Sequence, residues 1–148
     1  MSELELLRQV FAQVLVTEEV FAECTCRSDF AEAKPILEAA HNLLIHRCTT
    51  PASQFELALH VDSAEASAIA AAAEWACGVL MDDKAARRMA KNFGVASIGT
   101  VGVLVLAKQK KLLPSIKPLL DQLTQSGYFL GDKLMDSALA AVGEHQAA

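Results

Sequence analysis

Apolar residues recur at positions 4, 6, 7, 10, 11 and 14 of "LELLRQVFAQV", close to the spacing of one helix face. "VLV" at 14–16 then predicts a short strand, and Thr17 can cap a helix holding "EEVFAEC". "DFAEAKPILEAAHN" predicts another helix, with Pro35 in its first turn, where proline is tolerated. "LLIH" at 43–46 reads as a strand, and Pro51 makes "RCTTPASQ" a loop. The alanine-rich "DSAEASAIAAAAEWA" predicts a long helix, opened by Asp62 and Glu65 in a capping-box variant. "GVLM" predicts a strand, "DDKAARRMAKNF" a helix closed by Gly94, and "VAS" at 95–97 a second short strand. "IGTVGVLVLAKQKK" follows without an assignment. "PSIKPLLDQLTQSG" and "DKLMDSALAAVG" then predict two amphipathic helices around a turn at Gly127.

Strands alternating with helices imply an α/β fold, a mostly parallel sheet flanked by helices. Sites in such sheets lie off the carboxyl ends of the strands. At 148 residues the chain is expected to be a single domain, with a core over 1–126 and a C-terminal helical extension over 127–148. Its residues are 53% apolar but only 5% aromatic, so the core must be mainly aliphatic, and Trp75 is expected to pack on it.

The longest apolar run, "VGVLVLA" at 101–107, is too short to span a bilayer, and no membrane partner is expected. Glu3 and Glu5 stand where a secretory signal would be basic, so the expected compartment is cytoplasmic. Cysteines 24, 26, 48 and 77 form no CxxC pair and read as reduced thiols packed as small hydrophobes. The four histidines show no zinc spacing. "GTVG" at 99–102 lacks the third glycine of a dinucleotide loop, and no P-loop or GxSxG is present.

Charge alters this picture. Residues 1–83 hold 14 acids against 4 bases, whereas 84–120 hold 8 bases and no acid. The net charge of −5 therefore conceals a basic region that begins directly after Asp82 and Asp83. Lys84, Arg87, Arg88 and Lys91 fall at i, i+3, i+4 and i+7 on one helical face. Ala85, Met89 and Phe93 occupy another, suited to packing. Such a stripe is either a solvated face or a track for nucleic-acid phosphates, with salt-sensitive, sequence-independent contacts.

Glu23 inside the helix after "VLV", Glu65 in the first turn of the alanine-rich helix, and Asp82 and Asp83 at the end of "GVLM" could project toward one sheet edge and together form a carboxylate cluster for Mg²⁺ or Mn²⁺. Two such ions could activate water and stabilise the leaving oxygen of a phosphodiester. Each acid also has an ordinary role open to it. Glu65 suits a capping box, Asp82 or Asp83 a helix cap, and Glu23 a solvated helix position.

"DDKAARRMAKNFGV" and "IGTVGVLVLAK…LLP", with "VTEEVFAE", strongly resemble a PIN-domain subfamily of small prokaryotic proteins related to VapC-type toxins. The resemblance runs from about Leu4 to Gly143. It implies a PIN-like parallel sheet between helices and metal-dependent RNA cleavage by a carboxylate cluster. By position, Glu23 matches the acid ending the family's V-x-x-E helix, Glu65 the first acid of G-E-A-E-A-I, and Asp82 and Asp83 its aspartate pair. Ser67 stands where that segment has its second glutamate. The family's opening strand, which carries a further aspartate, has no counterpart here. A partner strand, a dimer contact or a collapsed sheet is expected to close the gap left by that strand.

The resemblance thus implies an Mg²⁺- or Mn²⁺-dependent endoribonuclease, with Glu23, Glu65, Asp82 and Asp83 on metal and Lys84, Arg87 and Arg88 on phosphate. A toxin–antitoxin role with an antitoxin-like partner, and a homo-oligomer, fit that reading. The alternative is a non-catalytic relative that binds RNA or a protein, which Ser67 and the absent first aspartate favour. A receiver-like module with Mg²⁺ on the paired aspartates fits less well, for want of a separate phospho-acceptor.

Overall fold

The computed structural model describes residues 3–26, 33–42, 45–49 and 61–144. Among these, eight helices alternate with four short strands: α1 (Glu3–Val10), β1 (Leu15–Thr17), α2 (Glu18–Thr25), α3 (Ala33–His41), β2 (His46–Cys48), α4 (Ser63–Glu74), β3 (Val79–Leu80), α5 (Lys84–Asn92), β4 (Ser97–Ile98), α6 (Thr100–Gln109), α7 (Lys117–Gln125) and α8 (Asp132–Ala141). The fold is α/β, helix-rich and built on parallel strand pairs. Residues 1–99 and 100–148 form two compact units.

In the first unit the helix starts follow local chemistry. Thr17 caps α2 by accepting the Val20 N–H, and Asp62 caps α4 by accepting that of Glu65. At the end of α1, the Arg8 guanidinium donates to the Phe11 and Ala12 carbonyls, which have no partner within the helix. Helix α5 closes in a Schellman motif. Gly94 takes a φ of 73°, its N–H donates to Lys91, and the Val95 N–H reaches Ala90.

Small residues let the layers approach closely. Ala66, Ile69, Ala70 and Ala72 of α4 form one buried cluster with Val79, Met81, Val95 and the α5 residues Ala86 and Ala90. Helix α4 also contacts β1, so one helix backs both β1 and β3. The strands make two separate parallel pairs, with β1 beside β2 (Leu15 opposite His46) and β3 beside β4 (Val79 opposite Ser97).

Several expectations shift. The second strand covers His46–Cys48 instead of 43–46, so Arg47 and Cys48 belong to it and not to a loop. Residues 43, 44 and 50–54 of those two segments lie outside the described residues. Ile45, the apolar residue that drew the strand upstream, is buried just before it. The fourth strand is 97–98 instead of 95–97, because Val95 is spent on closing α5. "IGTVGVLVLAKQKK" supplies α6. Trp75 is 59% exposed. It stands at the C-cap of α4, where Ala76 at φ 52° reverses the chain and the Cys77 N–H returns to Ala72. The four cysteines are free, but none is buried.

In the second unit α7 begins without a side-chain cap from its own N-terminus. Glu144 provides one from beyond α8. Its carboxylate accepts the Ile116 N–H at 2.9 and 3.1 Å and the Lys117 N–H at 3.2 Å, and Lys108 Nζ lies 3.5 Å away. Burial pushes the Glu144 carboxyl up, but the two N–H groups and Lys108 outweigh it and hold the group below its ordinary range. A carboxyl depressed by folding stabilises above its unfolded pKa of about 4.3, and that contribution is lost as pH falls through the lower folded value. Glu144→Gln is therefore expected to cost about 1 kcal/mol at pH 7 and almost nothing at pH 2, read from urea unfolding at both.

Candidate nucleic-acid interface

Helix α5 divides its residues by face. Lys84, Arg87, Arg88 and Lys91 are all exposed, whereas Ala86 and Ala90 are fully buried and Met89 is half-buried. The packing face is thus Ala86, Ala90 and Met89. Ala85 and Phe93, expected on it, are exposed, Phe93 at 45% because it is the C-cap. Among the described residues none of the four bases forms an ion pair. Lys108 and Lys117, in the second unit, instead pair with Glu144 and Asp121.

The paired aspartates have different surroundings. Asp83 is the N-cap of α5, its Oδ2 accepting the Ala86 N–H at 2.9 Å. Asp82 turns toward Gly99, just past β4. A Cβ on Gly99 would stand 2.9 Å from Asp82 Oδ1 and 3.6 Å from the Arg87 guanidinium. With glycine at 99, carboxylate and guanidinium both stand close to the backbone at this strand end; any larger residue would require the Asp82 side chain to shift. "GTVG" gave no hint of that role in the sequence, although a glycine directly after a short strand is a usable signal of close approach.

Glu65 lies in the first turn of α4. Burial raises its carboxyl above the usual range, and the negative charges of Asp62 and Asp83 add to the effect. The folded state then binds this proton more readily than the unfolded state does. Ionised Glu65 costs stability above the folded pKa, and the cost vanishes below the unfolded one. Glu65→Gln is expected to raise the urea midpoint at pH 7 and to match the parent near pH 3; a lowered midpoint at pH 7 would contradict this electrostatic account.

Glu23 is exposed on the last turn of α2. The structure thus brings Glu65 into the electrostatic reach of Asp83, and Asp82 beside Arg87. Among the described residues no three Asp, Glu, His or Cys side chains form a group able to hold a metal ion.

Ser67, where a second glutamate was expected from the resemblance, is fully buried. Its Oγ donates to the Ala64 carbonyl at 2.7 Å and lies 2.6 Å from Thr17 Oγ1, which itself accepts the Val20 N–H. With the Thr17 hydroxyl donating to Ser67, every member of this chain is satisfied. It joins the end of β1 to α4. Fifty residues separate the two hydroxyls, so no local pattern reveals the pair.

A family model, DUF3368, described as a PIN domain, matches residues 1–144 of the chain. No curated protein and no solved structure gives a significant match.

Proposed function

The chain belongs to the PIN-domain family, a nuclease-like class of domain, and from that premise we propose that it binds RNA along the phosphate backbone through α5. One observation carries this reading. Four bases share an exposed face at the carboxyl end of β3, with the Asp82 carboxylate beside Arg87. Their buried opposite face fixes the helix, so the backbone that carries the charges is already ordered before binding and only the side chains have to be ordered. Asp83, at the N-terminus of α5, complements the helix dipole and leaves the guanidinium groups for phosphate. No helix among the described residues is long and apolar enough to cross a membrane.

Four contacts to single-stranded phosphates give a salt slope of about −2.8, so affinity for a labelled oligoribonucleotide should fall about fiftyfold between 50 and 200 mM salt. Affinity independent of salt would end the proposal.

A second reading is metal-dependent hydrolysis of RNA, as in a toxin with an antitoxin-like partner. Family membership favours it, together with the crowding of Asp62, Glu65 and Asp83, which a cation would relieve. It stands second because, among the described residues, no three Asp, Glu, His or Cys side chains are grouped to hold an ion. Incubation of the same oligoribonucleotide with Mn²⁺ separates the two. Binding without cleavage supports the first reading; cleavage lost in Asp82→Asn supports the second.

A further inference from the structure

Helices α4 and α5 end in the same turn. Trp75 and Phe93 are their C-caps, with φ and ψ of −88° and 2° in the first and −92° and 10° in the second. The residue after each takes a positive φ, Ala76 at 52° and Gly94 at 73°. The next N–H returns to the helix, from Cys77 to Ala72 O at 3.0 Å and from Val95 to Ala90 O at 2.8 Å. The strands that follow are parallel neighbours, with Val79 opposite Ser97. The Val79 N–H donates to Ala96 O, and a Cβ on Gly78 would stand 3.4 Å from that same oxygen. Matching turns that enter paired strands thus bring Trp75 and Phe93 to one edge, where β3 and β4 begin. Both side chains stay in solvent, at 59% and 45% exposure.

We infer that this edge is a stacking platform for the nucleobases of single-stranded RNA, with Phe93 and Trp75 each receiving one base. The inference rests on the phosphate-backbone reading of α5 and extends it to the bases. Exposed apolar residues scattered singly need no explanation, whereas two aromatic side chains gathered at one edge define a surface. Its charge selects the occupant. Lys91, the last base of the α5 face, lies in the final turn before Phe93, so a strand whose phosphates follow α5 arrives at Phe93 first. Glu74 precedes Trp75 and is exposed, which keeps phosphates on the Lys91 side and leaves the indole to a base. Asn92 is exposed as well. Rings set among polar neighbours suit nucleobases, whose faces are apolar and whose edges stay hydrated, better than the apolar centre of a protein interface. Stacking accepts any base, so it adds affinity without adding sequence preference.

The test reads the emission of Trp75, the only tryptophan of the chain. The full chain in about 50 mM salt is titrated with an end-labelled single-stranded oligoribonucleotide and with an abasic oligomer of the same length. Anisotropy of the label follows binding in parallel. The base-bearing strand should quench Trp75 along its binding curve, whereas the abasic strand should bind more weakly and leave the emission unchanged. Trp75→Ala and Phe93→Ala should each weaken binding of the base-bearing strand about fivefold or more. The salt slope should stay that of the parent, since stacking releases no counterions. Each variant should bind the abasic strand as the parent does, which shows that α5 is intact. Unaltered emission, or equal quenching by both strands, alongside salt-sensitive binding would overturn the platform and leave the α5 reading standing. Binding of neither strand would end both. Emission that changes with protein concentration alone, before RNA is added, would overturn the platform and assign the edge to a second copy.

Discussion

Replacing Lys84, Arg87, Arg88 and Lys91 together by alanine is expected to leave the fold intact and to remove most of the RNA affinity. All four side chains are exposed, and alanine is the strongest helix former, so α5 should survive on its buried Ala86 and Ala90 face. The loss follows from counterion release. Four phosphate contacts contribute a slope of about −2.8, which accumulates to roughly 3.6 orders of magnitude between 50 mM and 1 M salt. The variant should therefore bind about four-thousandfold more weakly at 50 mM and differ little from the parent near 1 M. Lys117→Ala serves as the control, because Lys117 already pairs with Asp121 within α7 and should contribute little. A salt slope unchanged in the fourfold variant would show that RNA, if bound, is held elsewhere.

What could be read from the sequence was local. Thr17, Asp62 and Gly94 act as caps because capping joins residues two to five apart, a distance that spacing rules address. The basic face of α5 was legible for the same reason. Strand positions were less so, because a short apolar run does not say what buries it. Ile45 is buried ahead of its strand, and Val95 closes a helix. The paired aspartates divided into one cap, Asp83, and one carboxylate beside Gly99, a distinction set by the path of β4. Whether Glu23, Glu65 and Asp82 converge depends on how α2, α4 and α5 are placed around the strands, and no periodicity encodes that. Glu144 likewise caps a helix start 28 residues earlier in the chain. Alternating strands and helices supplied the fold class and the resemblance its family, whereas the identity of position 67 had to be weighed against its surroundings.

That position yields the other large effect. Introducing the family's glutamate by Ser67→Glu is expected to destabilise the first unit severely and to restore no metal site. Ser67 is fully buried, and its only described polar partners are the Thr17 hydroxyl and the Ala64 carbonyl. A carboxylate there would set a second acceptor against the Ala64 carbonyl, with the Thr17 hydroxyl as its one described donor. An uncompensated buried charge costs about 3–5 kcal/mol, beyond the strain of the added volume. Ser67→Ala should cost less, about 1–3 kcal/mol, because it strands one hydroxyl on Thr17. Pairing it with Thr17→Val removes that stranded hydroxyl, so the double variant should be more stable than the sum of the single costs allows. The Thr17 change also forfeits the cap of α2, a loss of about 1 kcal/mol that the single Thr17→Val variant measures directly. Urea unfolding of the four variants gives the comparison. If Ser67→Glu matched Ser67→Ala in stability, position 67 would have to open to solvent or to a cation. Mn²⁺ titration of that variant would then tell which, since only a ligating carboxylate would make its unfolding midpoint rise with metal.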